Sequence, residues 1–113
     1  MAAFFELREY RIKDGKRDRW VKFMEEKIIP FQIERGMVIV GSWCDPEQPD
    51  HYVWMRRFES EEERKALYAA VYEDPKWASD IKPSIDEMLD RSKIVVTRLE
   101  PSPKSVIRCS SSL

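Results

Sequence analysis

The stretch MVIVGSWCDPEQPDHYVWMRRF, Met37 to Phe58, contains two runs of β-branched and aromatic residues separated by a loop with two prolines. Met37–Cys44 and His51–Phe58 have the composition of β-strands, whereas the segment DPEQPD has that of a loop. Because the two runs lie so close together in the chain, they predict an antiparallel hairpin. The rest of the fold can be built outward from this hairpin.

The residues before the hairpin predict a strand and then a helix. Ala3–Ile12 alternates in the period of two that is typical of a strand. Apolar side chains then recur at helical spacing over residues 16–35, and Gly36 is placed to end the helix. Pro30 lacks a backbone donor, so it predicts a kink or a tightened last turn in this helix.

The residues after the hairpin predict two helical segments and a last strand. Ser60 begins a helix, and Glu63 completes a capping box with it. Asp74–Pro75 interrupts this helix, and Pro75 suits the first turn of a second helical segment that carries Trp77. Lys93–Leu99 has the composition of a final strand.

This order of elements predicts an α+β, ferredoxin-like βαββαβ fold, with a four-stranded antiparallel sheet and helices on one face. The other face of the sheet then needs a cover, and we assign to it the aromatic residues of the strands. An apolar face of this kind predicts a homodimer in which two sheets form a dimeric α+β barrel. The aromatic residues are Tyr10, Trp43, Tyr52, Trp54 and Phe58.

Length and charge limit the classes of function. The 113 residues predict one domain, residues 1–100, followed by a serine-rich tail, residues 101–113, that we expect to be flexible. Lys and Arg number 20 and Asp and Glu number 21, so no strong field attracts nucleic acid or an anionic membrane.

The cysteines and the first residues bear on the compartment. Cys44 and Cys109 are the only cysteines, and we interpret both as free thiols of a reducing compartment. Charged residues interrupt the apolar run at the start of the chain, which argues against a signal peptide or a membrane span. The expectation is a soluble, cytoplasmic protein.

The first strand carries the candidate catalytic residues. Glu6, Arg8 and Tyr10 alternate along the strand, so they share a face at a spacing of about 7 Å. In a cavity, Arg8 would orient a carboxylate or enolate, Tyr10 would donate a hydrogen bond to an oxyanion, and Glu6 would accept a proton. The alternative is a buried structural ion pair between Glu6 and Arg8, with Tyr10 as its hydrogen-bond partner.

Trp43, Trp54 and Trp77 are the candidate walls of a ligand pocket, and packing in the core or in a dimer is the alternative for them. His51 is the only histidine and lies where a loop meets a strand. One histidine does not make a zinc site or favour haem, so the sequence predicts neither a metal nor a cofactor.

Several segments resemble the NIPSNAP family. The run FFELREYRIKDGKR, the later VGSW and the closing YEDPKW are similar to family motifs in the same order, and the likeness extends over about Phe4–Leu99. This resemblance implies a dimeric α+β barrel, a fold shared with cofactor-free monooxygenases, haem-degrading proteins and EthD-like proteins. It does not imply one reaction, because a fold can carry many chemistries.

Two hypotheses about function follow. In the first, the protein is an enzyme without a cofactor, a monooxygenase or isomerase, that uses Glu6, Arg8 and Tyr10 on a small apolar or aromatic molecule. In the second, it is a non-catalytic binding or protein-interaction module whose pocket recognises a partner or a lipid-like ligand.

Overall fold

The structure, a computed structural model, describes residues 3–107 of the chain. Its single sheet has four strands in the order β2-β3-β1-β4, and each neighbouring pair is antiparallel. The strands are β1 (Phe4–Arg11), β2 (Val38–Cys44), β3 (His51–Phe58) and β4 (Val95–Leu99).

Three helices connect the strands. Helix α1 covers residues 17–34, with a π-helical turn at its middle, and α3 begins with a π-helical turn and covers residues 77–88. A short 3₁₀ turn, Arg91–Lys93, leads into β4. The helical segments are α1 (Arg17–Phe23, Met24–Ile28 and Ile29–Glu34), α2 (Glu61–Tyr72) and α3 (Trp77–Ile81 and Lys82–Met88). The predicted α+β fold with its ferredoxin-like order is therefore confirmed.

Each of the two π-helical turns lies directly before a proline. Pro30 and Pro83 occupy the second position of the helical segment that follows the turn. The backbone N–H of Ile29 donates to the carbonyl of Met24, and the N–H of Lys82 donates to that of Trp77. A proline has no N–H to offer, so the chain inserts a wider turn just ahead of it. The irregularity predicted at Pro30 thus extends toward the N-terminus, through the middle of α1.

Helix α2 begins as its sequence predicts. The hydroxyl of Ser60 accepts a hydrogen bond from the backbone N–H of Glu63 at 3.0 Å. The carboxylate of Glu63 accepts from the N–H of Glu59 at 2.9 Å, one residue earlier than in the usual capping box. At the other end, Asp74 pairs with Arg35 at 2.8 Å and so ties α1 to the corner between α2 and α3.

The aromatic residues of the strands lie on the side opposite to the prediction. Four of them are buried in the core between the sheet and the helices, and only Trp43, which is 51% exposed, lies on the uncovered face. The physical reason is volume: large rings on alternate positions of β1 and β3 fill the space under the helices. The buried four are Tyr10, Tyr52, Trp54 and Phe58.

The face of the sheet away from the helices, here called the open face, is nevertheless apolar. Leu7 lies opposite Met55, and Trp43 lies opposite Val53, so these side chains share that face. Its large exposed apolar residues are Val38, Trp43, Val95 and Leu99. The apolar surface of the open face therefore consists of aliphatic residues and one tryptophan.

Among the helices of residues 3–107, none combines the length and the apolar composition needed to cross a membrane.

Candidate functional site

A cavity of about 240 Å³ lies between the sheet and the three helices. The two π-helical turns contribute to its wall, with Met24 and Ile28 from α1 and Trp77 from α3. The sheet forms its floor through Arg8, Tyr10 and Trp54. The remaining residues of its lining are Trp20, Gln32, Tyr68, Tyr72, Lys82, Ile85, Leu89, Arg91 and Ile94.

The polar centre beside this cavity is Arg56, which is fully buried. Its guanidinium donates to Glu6 at 2.6 Å and to Gln32 at 2.9 Å. It also donates to the hydroxyls of Tyr68 and Tyr72, at 2.8 Å each. A buried charge needs several partners of this kind, because burial removes its hydration.

Glu6 is held as a carboxylate by these contacts. Burial alone would raise the pKa of Glu6. The charge of Arg56 and the hydrogen bonds from Arg56 and Tyr68 outweigh burial, so the pKa of Glu6 lies below its ordinary value. A carboxylate so engaged is a weak proton acceptor, because protonation would break the contacts that stabilise its charge.

Arg8 contacts Glu6 only loosely. The distance from its Nη1 to Glu6 Oε1 is 3.5 Å, compared with 2.6 Å for Arg56. Its Nε donates to the Tyr10 hydroxyl at 2.8 Å, and its Nη1 donates to Tyr68 at 3.4 Å. The main ion pair of Glu6 is therefore with Arg56, and Arg8 lines the cavity with hydrogen-bonding capacity to spare.

Tyr68 and Tyr72 come from α2, where a spacing of four residues places them on one face of the helix. The hydroxyl of Tyr68 donates to the carboxylate of Glu6 at 2.8 Å. Burial raises the pKa of Tyr68, despite the opposing charge of Arg56, so its phenol stays protonated at neutral pH. Tyr68 thus presents a hydroxyl, rather than a phenolate, at the cavity.

Lys82 and Arg91 also line the cavity, and both pair with Asp86 on α3. The distances to Asp86 are 3.1 Å from Lys82 and 2.6 Å from Arg91. The hydrogen bond from Arg91 and, to a smaller extent, the one from Lys82 lower the pKa of Asp86. Two cationic groups therefore share one carboxylate beside the cavity.

The structure brings most of the sequence-derived candidates together. Arg8, Tyr10, Trp54 and Trp77 line the cavity, and Glu6 contacts Tyr68 at its border. Trp43 lies apart on the open face, because it pairs with Val53 on β3. Trp54 is the next residue of β3, so its side chain points to the opposite face of the sheet. Trp43 and Trp54 therefore do not share a pocket within this chain.

Sequence reasoning missed Arg56, Gln32, Tyr68 and Tyr72. The signal for Arg56 was the alternation of HYVWMRRF, which places Arg56 on the same face as the bulky Trp54 and Phe58. Its direct partner across β1 and β3 is Glu6. The other three come from helices, and only the tertiary packing shows that they meet Arg56.

His51 lies outside this cavity, at the edge of the open face, where it bridges two carboxylates. Its Nδ1 lies 2.8 Å from Asp45 Oδ2, and its Nε2 lies 3.0 Å from Glu9 Oε1. The hydrogen bond with His51 is the largest cause that lowers the pKa of Asp45 to about 2.

The part of the chain that the structure describes holds no group of three or more His, Cys, Asp or Glu residues arranged for a metal ion. Cys44 is exposed as a free thiol, whereas Cys109 lies outside the described residues.

A larger depression, of about 580 Å³, lies at the end of the sheet where β1 passes into α1. Its lining is mostly charged residues of both signs, and pairs such as Arg11 with Asp50 at 3.2 Å already satisfy one another. It lacks the aromatic wall and the convergent hydroxyl groups of the smaller cavity. Ligand sites are usually apolar with a few placed polar groups, so the cavity under the helices is the better candidate.

The fold and the cavity define a class of ferredoxin-like α+β proteins with an aromatic pocket between the sheet and its helices. Within that class, the sequence matches the NIPSNAP family over residues 5–103, which is most of the chain. The protein belongs to the NIPSNAP family. Among curated proteins, no sequence matches it.

Solved structures show the same fold. Protein Atu4242 from Agrobacterium tumefaciens is 26% identical, with a TM-score of 0.82 over 92% of this chain and 98% of that one. A NIPSNAP family protein from the same organism, Atu5224, is 23% identical, with a TM-score of 0.83 over 94% of this chain and 99% of its own. An uncharacterized NIPSNAP-like domain protein from Burkholderia xenovorans is 19% identical, with a TM-score of 0.83 over 95% of this chain and 91% of its own.

Proposed function

We propose that this protein is a homodimer that binds a small molecule with an apolar or aromatic body in the cavity under its helices. The observation that carries the proposal is the lining of that cavity: Trp54 and Trp77 form apolar walls, and Arg8, Tyr10 and Tyr72 present polar groups to the same space. Few convergent polar groups among aromatic walls are the usual features of a ligand site.

The open face supports the homodimer. Val38, Trp43, Val95 and Leu99 expose large apolar side chains on one side of the sheet. Such a surface is costly in water, and a second copy packed about a twofold axis would cover both sheets at once and form the dimeric barrel. The two free thiols interpreted from the sequence support a cytoplasmic location for this homodimer.

Catalysis in the same cavity is a second candidate, and Arg8 with Tyr10 favours it. The Arg8 Nε donates to the Tyr10 hydroxyl at 2.8 Å, so the hydroxyl oxygen accepts this bond and its own proton can be donated to a ligand. A guanidinium and a phenol in one partly buried space would stabilise the enolate of an isomerase or of a cofactor-independent monooxygenase. The pairing of Glu6 with Arg56 argues against Glu6 as the base, so binding is the function that the geometry supports better.

Native mass spectrometry of the protein as purified from cells tests the proposal. We expect the mass of a dimer that carries a discrete additional mass, which activation in the gas phase releases as a small molecule. A monomer at high protein concentration would argue against the homodimer. A bare dimer that also shows no change in tryptophan fluorescence with any of a set of small aromatic compounds would argue against ligand binding, and would favour an interaction module.

A further inference from the structure

We infer that the ligand of the cavity under the helices is a small organic anion, with one apolar or aromatic body and a carboxylate that binds Arg8. This inference rests on the proposed function and adds the chemical class of the ligand.

The charges around the cavity are unbalanced. Three cationic side chains, Arg8, Lys82 and Arg91, line it, and Arg56 lies buried beside it. Only Glu6 and Asp86 contact these four groups as carboxylates within residues 3–107. Two positive charges therefore remain uncompensated, and at a partly buried site such an excess favours an anionic occupant.

Neither carboxylate is available to bind a cationic ligand. Glu6 accepts hydrogen bonds from Arg56 and from Tyr68. Asp86 is shared between Lys82 and Arg91. A positively charged ligand would have to displace one of these contacts before it could pair with a carboxylate. It would also be repelled by Arg8, so both effects select against a cationic ligand.

Arg8 is positioned to hold the ligand carboxylate. Tyr10 fixes its Nε at 2.8 Å, which orients the plane of the guanidinium. Its Nη1 makes only long contacts, 3.5 Å to Glu6 and 3.4 Å to Tyr68, and its Nη2 donates to no acceptor within the described part of the chain. A planar guanidinium with two such nitrogens matches the two oxygens of a carboxylate.

The size of the cavity limits the body of the ligand. A volume of about 240 Å³ corresponds to about eight water molecules at roughly 30 Å³ each. Pockets for drug-sized ligands are larger, about 300 to 1,000 Å³. One ring or a short aliphatic chain fits, and the walls of Trp20, Trp54 and Ile85 would pack against it.

Isothermal titration calorimetry with three compounds of nearly equal shape tests the inference. Phenylacetate carries a carboxylate, phenylacetamide is neutral, and 2-phenylethylamine is cationic. We expect phenylacetate to bind at least about tenfold more tightly than phenylacetamide, the difference expected for one charge-assisted contact. The cationic amine should not bind measurably.

Variants of the cationic residues test which of them causes the preference for phenylacetate over phenylacetamide. Arg8→Met keeps much of the side-chain volume and should reduce the preference for phenylacetate over phenylacetamide to about twofold or less, since it removes the charged contact. Because Arg8 is partly buried, a second variant is needed: Lys82→Ala combined with Arg91→Ala changes side chains that are about half exposed. That double variant should weaken phenylacetate binding about threefold through the lost charge. Arg19→Ala, which removes an exposed arginine paired with Glu87, is the matched control and should change nothing.

The outcomes separate the inference from the proposed function. Selective binding of phenylacetate that Arg8→Met abolishes supports both. Equal binding of phenylacetate and phenylacetamide, or tighter binding of 2-phenylethylamine, overturns the anionic class and leaves a ligand-binding cavity. The absence of binding for all three compounds in the wild-type protein overturns the inference together with the proposed function.

Discussion

In an ordinary half-exposed sheet the buried face is apolar and the exposed face is polar. This sheet instead buries an ion pair on one face and exposes large apolar side chains on the other. The face under the helices buries Arg56 completely and Glu6 almost completely, together with a cluster of aromatic rings. The open face exposes Trp43 and Val95, which are both 51% accessible. One ion pair is buried among the aromatic side chains of the inner face, and a set of large apolar side chains is exposed on the outer face. This contrast is explained if the inner face forms a polar-centred ligand cavity and the outer face is completed by a second chain.

The largest effect should come from Arg56. Arg56→Ala leaves Glu6 buried without its main partner, and breaking a buried ion pair in this way lowers the free energy of unfolding by on the order of 3 to 5 kcal/mol. Urea unfolding followed by circular dichroism measures the loss.

Its neighbour Arg57 provides the control on the other face of the same strand. Arg57 pairs with Glu59 beside the open face, so Arg57→Ala should lower the stability by about 1 kcal/mol or less. Similar losses for the two arginines would show that the inner face is not the special one. Arg8→Ala should also be mild, because its contact with Glu6 is long at 3.5 Å.

The next effect concerns the open face. Met55 lies opposite Leu7 and Gly41 near its centre. Met55→Glu places a charge there in each copy, and like charges across an interface cost several kcal/mol. We expect the proposed dimer to dissociate at least about 100-fold more readily, since each tenfold change corresponds to 1.4 kcal/mol. Sedimentation velocity over a range of concentrations measures this.

Ile33→Glu is the matched control for that variant. Ile33 is 54% exposed on α1, which lies on the other side of the sheet. The same charge at Ile33 should leave the dimer intact. A dimer that survives Met55→Glu but not Ile33→Glu would place the interface on the helices.

A smaller effect should follow from loosening the helix that covers the inner face. Ser60→Ala removes the hydroxyl that accepts from Glu63 at 3.0 Å, and the loss of such a cap lowers stability by about 1 kcal/mol. Ser79→Ala is the control, because its exposed hydroxyl donates to the neighbouring Asp80 at 2.8 Å and caps no helix, and it should stay within about 0.5 kcal/mol of wild type. Chemical unfolding of both variants tests the difference.

The smallest predicted effect is a change in the pKa of Asp45, at the edge of the open face. The pKa of Asp45, about 2 in the folded chain, is below its ordinary value of 3.8. The stability that Asp45 contributes is therefore present above about pH 4 and is lost as the pH falls through about 2. His51→Ala should raise the pKa of Asp45 toward 3.8, though only in part, because the backbone hydrogen bonds from Glu47 and Gln48 remain.

A carbon-13 NMR titration of the carboxyl groups measures the pKa of Asp45. Asp86 serves as the reference in the same spectrum, since Arg91 and Lys82 lower its pKa and His51 does not. An unchanged pKa of Asp45 in His51→Ala would mean that the backbone hydrogen bonds alone account for the shift.

Much of the fold could be predicted from local patterns. The alternation of β1, the capping box at Ser60 and the turn at Gly36, whose φ is 104°, act within a few residues of chain. Such signals survive packing because they depend on backbone geometry and on side chains that are near neighbours in the chain. Pro30 likewise predicted an irregular helix, and the irregularity is the π turn over Met24–Ile28 that precedes it.

Which of the two sets of alternating strand residues lies under the helices could not be predicted in the same way. Tyr10, and with it Glu6 and Arg8 on the same side of β1, was predicted on the face away from the helices, whereas Glu6 and Tyr10 are buried beneath the helices. Hydrophobicity cannot decide between two faces when both are to be covered. The deciding contact is between Glu6 and Arg56, fifty residues apart in the chain, and the hydroxyl groups that complete it come from α2.

The measurement that tests this account most directly is a nitrogen-15 NMR spectrum of the four tryptophan indole groups. Trp20, Trp54 and Trp77 line the cavity, and Trp43 lies on the open face. We predict that phenylacetate shifts the signals of the first three and leaves the signal of Trp43 unchanged, whereas Met55→Glu shifts the signal of Trp43. A spectrum in which phenylacetate moves the Trp43 signal and leaves the other three unchanged would contradict it.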